Sequence, residues 1–260
     1  MSKAGAGFME LSGFFLPVLY NHTNDVHLML RTILIMVLGL SVFPISASHF
    51  FLLPTLRKEA LRTGIDYAET RRSCEAMRLK LAAAANRDSA IDEAKAFLYQ
   101  QLTHHIWPAW YGTEWDFNGI SDKPGEGQIA CGYFVSTTLK HAGFRLNRYR
   151  LAQQAASDIC KALSPRVYRF SSLEALEQFL KTQSGEQLYV LGLDYHVGFI
   201  QQYDSTCSFT HSSYYEPARV TDERLDSSAA LAYSNVYVLA SLFEKKDLVE
   251  KWLSGSQVYP

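Results

Sequence analysis

One cysteine in this sequence lies between small residues at a point where a loop turns into a helix. Cys131 is in "GQIACGYFVSTTLKHAGF", residues 127–144, after a glycine-containing loop and at the start of a segment with helical periodicity. A helix N-terminus stabilises a thiolate, and backbone N–H groups of such a loop can stabilise an oxyanion. The pattern predicts a nucleophilic Cys131 with a lowered pKa. A small buried core thiol is the alternative.

Two histidines further along the chain could assist such a nucleophile. "LDYHVGFI" places His196 at the start of an apolar strand, and "CSFTHSSY" places His211 on the next strand. Because polar residues at Asp204-Ser205 predict a turn between two antiparallel strands, the imidazoles are expected to lie close together. A cysteine catalyst needs a base that a third polar group orients. The sequence therefore predicts a catalytic set of Cys131, His196 and His211.

The elements that must position these residues follow an order typical of an α+β fold, with helices first and strands later. The strand-rich segments are residues 186–220 and 235–243. Periodicity and capping patterns predict helices over about 55–85, 89–105 (ended by Pro108), 131–142 (ended by Gly143), 151–163, a short segment opened by Ser171-Ser172, and 244–253.

The N-terminal region has the pattern of an export signal. Arg31 precedes an uncharged apolar run, and small residues at 46–48 follow it. We expect a leader over residues 1–48 with a possible true start at Met29, a helical segment over 49–88 and a catalytic domain over 89–260. The alternative is a membrane anchor, since residues 32–53 lack charged side chains. The protein is thus expected to be periplasmic or secreted, with possible membrane contact through this segment.

Composition excludes several other classes. The net charge of -1 and the absence of any Lys/Arg run longer than two residues argue against nucleic-acid binding. The spacing of His104, His105 and His141 matches no zinc pattern, so no metal is predicted.

In an exported chain, Cys160 and Cys207 are the first pair to test for a disulfide.

Aromatic and acidic residues near the predicted set could bind a substrate. Tyr111 and Trp115 could line a cleft, although such clusters also anchor loops to a core. Asp116 could contact a substrate amine or cap a turn, and Asp194 is a further candidate for contact with the substrate or support of the oxyanion.

Four segments together resemble the NlpC/P60 cysteine peptidases. "YGTEWDFNG", "ACGYFVSTTLKHAGF", "HVGFI" and "SFTHSS" are similar to the family's motifs and occur in the same order, between residues 110 and 215. Ala130 and Gly132 stand where the family usually has Asp and Ser. The resemblance implies a papain-like domain, with Cys131 as nucleophile, His196 as general base and His211 as its orienting partner. It also implies cleavage of an amide bond in peptidoglycan stem peptides without a cofactor.

Two other functions remain open on the sequence. The domain could be a catalytically silent module that binds the cell envelope through its aromatic loop. It could also be a thiol-dependent amidase toxin, or an acyltransferase that resolves the thioester with an acceptor other than water. The thiol pKa distinguishes a silent site from an active one, and the reaction products distinguish a hydrolase from a transferase.

Overall fold

A computed structural model of the protein describes residues 66–259. The predicted leader over residues 1–48, the possible start at Met29 and the first part of the helix predicted from residue 55 lie outside the described residues. Within the part that the structure describes, no helix is long and apolar enough to cross a membrane.

Side-chain caps start the first two helices. Asp66 accepts a hydrogen bond from the amide of Glu69, and Asn86 accepts one from the amide of Ser89. The helices are α1 (Tyr67–Ala82), α2 (Arg87–Gln100), α3 (Trp107–Trp110), α4 (Cys131–His141), α5 (Arg148–Ala152), α6 (Ala156–Leu163), α7 (Leu173–Lys181), α8 (Ala229–Ala232) and α9 (Asp247–Ser254).

A six-stranded antiparallel sheet accompanies these helices and confirms the α+β class. The strands are β1 (Arg145–Leu146), β2 (Val167–Phe170), β3 (Gln187–Gly192), β4 (Val197–Tyr203), β5 (Thr206–Ser212), β6 (Val220–Arg224), β7 (Tyr237–Ser241) and β8 (Gln257–Tyr259). Their order in the sheet is β2-β7-β3-β4-β5-β6, while β1 and β8 form a separate parallel pair.

The sheet is buried on both faces because its strands carry apolar side chains in both alternating sets. Val190 and Phe199 point into one core, which also contains residues of α1, α2, α4, α6 and α9. Leu191 and Ile200 point into a second core, which α7 and α8 cover. Because α1 contributes Cys74 to the first core, this helix is part of the same packed body as the sheet.

The predicted turn at Asp204-Ser205 is confirmed. It joins β4 to β5, with Asp204 in the left-handed region at φ 49°. The start of α4 at Cys131 and its end before Gly143, at φ 97°, are also confirmed.

Pro108 does not end the helical region as predicted. After Gln100 the chain continues through a π-helical turn, Gln101–Ile106, into α3, whose first turn contains the proline. The π-helical turn, in which the Trp107 amide bonds to the Leu102 carbonyl, widens the helix just before the proline and so accommodates it within a continuous helical run.

The single helix predicted over residues 151–163 is wrong, since α5 and α6 are separate. The start of α6 packs against β3 at Gly192, where an added Cβ would lie 2.8 Å from the carbonyl oxygen of Ala156. This tertiary contact has no signal in helical periodicity. Strand β2, at the edge of the sheet, was also not predicted.

The disulfide between Cys160 and Cys207 is not formed, and all four cysteines are free. Cys160 is buried in the first core, where its sulfur lies 3.2 Å from the carbonyl oxygen of Val238. Cys207 packs against the second core. The two thiols therefore lie on opposite faces of the sheet.

Candidate active site

Cys131 is the first residue of α4, and its side chain is partly exposed. The helix begins here because Ala130 is extended (φ -77°, ψ 159°) and its carbonyl accepts the amide of Phe134 at 2.8 Å. Gly132 allows close packing on α5, since an added Cβ would collide with the carbonyl oxygen of Ala152. The predicted position of the thiol at a helix N-terminus is confirmed.

Main-chain hydrogen bonds hold the loop that leads to this cysteine. The amide of Ile129 donates to the carbonyl of Glu114 at 2.9 Å, and the amide of Ala130 donates to the carbonyl of Gly119 at 2.8 Å. Gly119 has to be a glycine, because a Cβ there would come within 2.6 Å of the Ile129 nitrogen. The segments around Gly119 and Ile129 are thus in close contact immediately before Cys131.

A buried arginine ties this loop to the helices. The Arg148 guanidinium donates to the carbonyls of Ile120 and Ser121, the latter at 3.1 Å, and to the hydroxyl of Thr137 at 2.6 Å. Arg148 is only 5% exposed. The planar guanidinium therefore joins the loop to the middle of α4.

The two predicted histidines are in direct contact. His196 Nε2 lies 2.7 Å from His211 Nδ1, and both rings are buried. The β4–β5 register, continued by one residue from Phe199 and Thr210, places Gly198 beside His211. His196 lies two residues before Gly198 and therefore on the same face. A Cβ on Gly198 would come within 2.7 Å of the His211 Cβ, so glycine leaves room for the imidazole.

The other ring nitrogen of His196 is available to act as a base. His196 Nδ1 is buried and has no hydrogen-bond partner within residues 66–259. The Cys131 sulfur lies near the backbone amide of Val197, the residue next to His196, and this amide acts to lower the pKa of the thiol. The hydrogen bonds of catalytic groups are often loose when no substrate is bound. The bare nitrogen of a neutral imidazole can accept a proton, and His196 Nδ1 makes no hydrogen bond with the Cys131 thiol in this structure.

The pKa values of Cys131 and His196 differ from those expected of a thiolate–imidazolium pair. Burial raises the pKa of the Cys131 thiol, and the backbone amides of Val197, Gly132 and Cys131 offset only part of this rise. The predicted lowering is wrong because desolvation outweighs the helix N-terminus. Burial, together with His211, lowers the pKa of His196 well below its usual value. At neutral pH the site therefore contains a neutral thiol and a neutral imidazole.

Two residues of the site were missed in the sequence. Tyr214 lies edge-on to His196, with ring centroids 5.2 Å apart, although no motif in its segment singles it out. Glu223 Oε1 lies 3.0 Å from His211 Nε2. A carboxylate on the strand after His211 was an available signal, but strand β6 has no motif that singles it out.

Of the predicted aromatic pair, the structure brings one residue to the site. Trp115 lies 6.0 Å from Tyr214 between ring centroids and so extends the aromatic wall beside His196. Tyr111 packs against the same core as Cys131, and its hydroxyl bonds to Thr210 and lies near Asp222. Thr210 and Asp222 are paired on the face of the sheet opposite to that of His211. The expected contact of Tyr111 with a substrate stays a prediction.

The two predicted aspartates have local structural partners. Asp116 Oδ1 accepts the amide of Asn118 at 2.8 Å and so caps a turn. Asp194 Oδ2 accepts the amide of Asn235 at 2.7 Å and ties together two loops. The Asp194 carboxylate is still close enough to help raise the pKa of Tyr214 to about 12, where burial is the main cause.

No cluster of three or more His, Cys, Asp or Glu side chains suited to a metal ion occurs in the described chain. Comparisons of the chain with models of protein families, with curated proteins and with solved structures find no match.

Proposed function

We propose that this chain is an exported cysteine hydrolase that cleaves an amide bond in peptidoglycan stem peptides. The single observation that carries the proposal is the arrangement around His196. Its Nε2 is bound to His211, and its buried Nδ1 has no partner within residues 66–259, while the amide of the next residue, Val197, lies near the Cys131 sulfur. A base oriented on one side and open on the other is what a thiol nucleophile requires.

The fold we propose is a papain-like domain of the NlpC/P60 type. A helix that begins with the nucleophile packs on an antiparallel sheet, and the base and its partner belong to one hairpin. The order of Cys131, His196 and His211 along the chain and the motifs around them support this fold.

Acylation of the enzyme begins with a neutral pair. The Cys131 proton passes to His196 Nδ1 while the sulfur forms a bond to the amide carbonyl carbon. The oxyanion is stabilised by backbone N–H groups at the start of α4. His196 then returns the proton to the leaving nitrogen as the C–N bond breaks, which leaves a thioester and a free amine.

Deacylation reverses the roles of the same groups. His196 Nδ1 takes a proton from water as the water oxygen attacks the thioester carbonyl. The proton returns to sulfur as the C–S bond breaks, and the products are a carboxylic acid and the free thiol. No further reactant is needed.

The substrate assignment depends on the resemblance of the motifs and on the aromatic wall. Tyr214 lies next to the base, Trp115 lies next to Tyr214, and both offer apolar surface to an extended peptide. Export depends on the leader over residues 1–48, and N-terminal sequencing of the expressed protein tests whether it is removed.

The test of the proposal is digestion of purified peptidoglycan by the wild-type protein, with products identified by mass spectrometry. Cys131→Ala is expected to abolish the products, whereas Cys207→Ala, which removes the other partly exposed thiol, should leave them unchanged. Fragment masses identify the bond that is cut. Products in which the acyl group is joined to an acceptor other than water would indicate a transferase or a toxin with that chemistry.

A second candidate is a catalytically silent module that binds the cell envelope. The raised pKa of Cys131 and the missing hydrogen bond between its thiol and His196 favour it over an ion-paired catalyst. If neither the wild type nor Cys131→Ala releases fragments and both bind the sacculus equally, this second function replaces the first.

A further inference from the structure

The hydrogen-bonded chain behind Cys131 does not end at His211. Glu223 Oε1 lies 3.0 Å from His211 Nε2, on the side of the ring away from His196. We propose that Glu223 is a positioning residue that sets the tautomers of both histidines, so that His196 Nδ1 stays unprotonated and can act as the base. This inference rests on the proposed function for its catalytic meaning, but the tautomers can be measured without activity.

Strand pairing in the sheet places Glu223 beside His211. Strands β5 and β6 pair Phe209 with Glu223 and His211 with Thr221, so the carboxylate and the imidazole lie on the same face. The Phe209 ring stacks on His211 with centroids 4.3 Å apart and planes at 23°. His211 is fully buried. Its ring is thus restrained by stacking and by a hydrogen bond at each nitrogen.

The proton positions follow from what each group can do. An ionised carboxylate only accepts hydrogen bonds, so His211 Nε2 must carry the proton in its bond to Glu223. A neutral His211 then has a bare Nδ1, which can only accept from His196 Nε2. A neutral His196 with its proton on Nε2 has a bare Nδ1. The carboxylate therefore determines the state of a nitrogen two hydrogen bonds away.

The hydrogen-bonded chain of His196, His211 and Glu223 also compensates charge when the thiol proton moves to His196. His196 becomes an imidazolium in a buried site, where an uncompensated charge is costly. Its Nε2–H remains bound to His211 Nδ1, and the negative charge of Glu223 lies directly behind that ring. Loss of the carboxylate removes this compensation and allows His211 to adopt either tautomer.

The experiment is nitrogen NMR of the full-length chain labelled with 15N-histidine, at one neutral pH. Signals are assigned with His196→Gln and His211→Gln. In the wild type we expect both rings to be protonated on Nε2 and bare on Nδ1. A proton on His196 Nδ1 in the wild type overturns the proposal, whatever the activity of the protein.

The variant that tests the role of the carboxylate is Glu223→Gln. Its amide can present oxygen or nitrogen to His211 Nε2, so we expect a mixture of tautomers at both histidines and a fall of kcat by about 10-fold or more with little change in KM. Asp222→Asn is the matched control, because Asp222 lies on the same strand but accepts from Gln201 and Thr210 on the opposite face. Tautomers in Glu223→Gln that match the wild type overturn the proposal.

Failure of the proposed function gives a different pattern. If peptidoglycan is not cut but the wild-type tautomers are as expected, Glu223 still positions the histidines and only the proposed hydrolase function is rejected. If peptidoglycan is cut while Glu223→Gln retains both the tautomers and the kcat of the wild type, the hydrolase stands and the role of Glu223 is rejected.

Discussion

The ring of Tyr214 lies edge-on to the imidazole of His196, with centroids 5.2 Å apart and planes at 69°. Tyr214 is 37% exposed, so one part of the ring covers the base while another part faces solvent. Trp115 continues this wall at 6.0 Å. A substrate that reaches Cys131 is therefore expected to contact Tyr214.

Replacement of this ring should weaken substrate binding. We expect Tyr214→Ala to raise KM by about 3- to 10-fold, which corresponds to the loss of about 0.5–1.5 kcal/mol of aromatic contact. Tyr214→Phe retains the ring and should bind almost normally. Tyr203→Ala removes an exposed tyrosine at the far end of β4 and serves as the control. Steady-state kinetics on a soluble stem peptide measure the effect, and an unchanged KM in Tyr214→Ala would show that the substrate approaches from another side.

The raised pKa of Cys131 predicts a particular pH profile for its alkylation. Because only the thiolate reacts, the rate with iodoacetamide should rise about tenfold per pH unit through pH 9, which is the usual pKa of a thiol. Peptide mass spectrometry separates Cys131 from the other three thiols. A rate that is already at its plateau between pH 6 and 7 would contradict this prediction, since it would require a thiolate–imidazolium pair.

Acid should destabilise the fold through two buried histidines. Burial lowers the pKa of His141 to about 3 and that of His196 well below 6.5. The unfolded chain binds protons at these residues below about pH 6.5, whereas the folded chain does not, so stability falls as pH decreases from there towards the folded pKa values. Each histidine contributes a slope of about 1.4 kcal/mol per pH unit.

A variant of His141 tests this slope. The Tyr67 hydroxyl lies 2.9 Å from His141 Nδ1, and the oxygen of a glutamine could accept the same hydrogen bond. His141→Gln should therefore reduce the slope of the free energy of unfolding between pH 6 and 4 by about 1.4 kcal/mol per pH unit. Urea denaturation at several pH values measures it, and parallel curves for the variant and the wild type would refute the assignment.

The buried guanidinium of Arg148 should be needed for both stability and reactivity. Arg148→Met leaves the carbonyls of Ile120 and Ser121 without their donor, so we expect the free energy of unfolding to fall by about 2–4 kcal/mol. The loop before Cys131 should also shift and alter alkylation of the thiol. Arg150→Met, at an exposed position on the same helix, is the control. Equal stability of the two variants would falsify the role of Arg148.

Several parts of the site could be predicted because their signals are local. The small residues around Cys131 and the helical periodicity after it indicate a helix start at a thiol. The turn residues Asp204-Ser205 between two apolar strands indicate a hairpin, and a hairpin with this register places His196 and His211 on one face. These conclusions need only the spacing of residues along one segment.

Other features depend on contacts between distant segments and had no local signal. Tyr214 and Glu223 reach the imidazoles only because β6 pairs with β5 and the loop between them folds back over His196. The partners of Tyr111 were also not predictable, because strand pairing places Thr210 and Asp222 beside each other on the face opposite to that of His211.

The sequence by itself determined the α+β class, the helix that begins at Cys131 and the hairpin that carries the two histidines, because short-range periodicity and turn chemistry control those elements. Only the tertiary structure decided the charge state of the thiol and the residues around the base. A pKa depends on how much solvent the surrounding chain removes, and burial at Cys131 outweighs the amides that its helix provides.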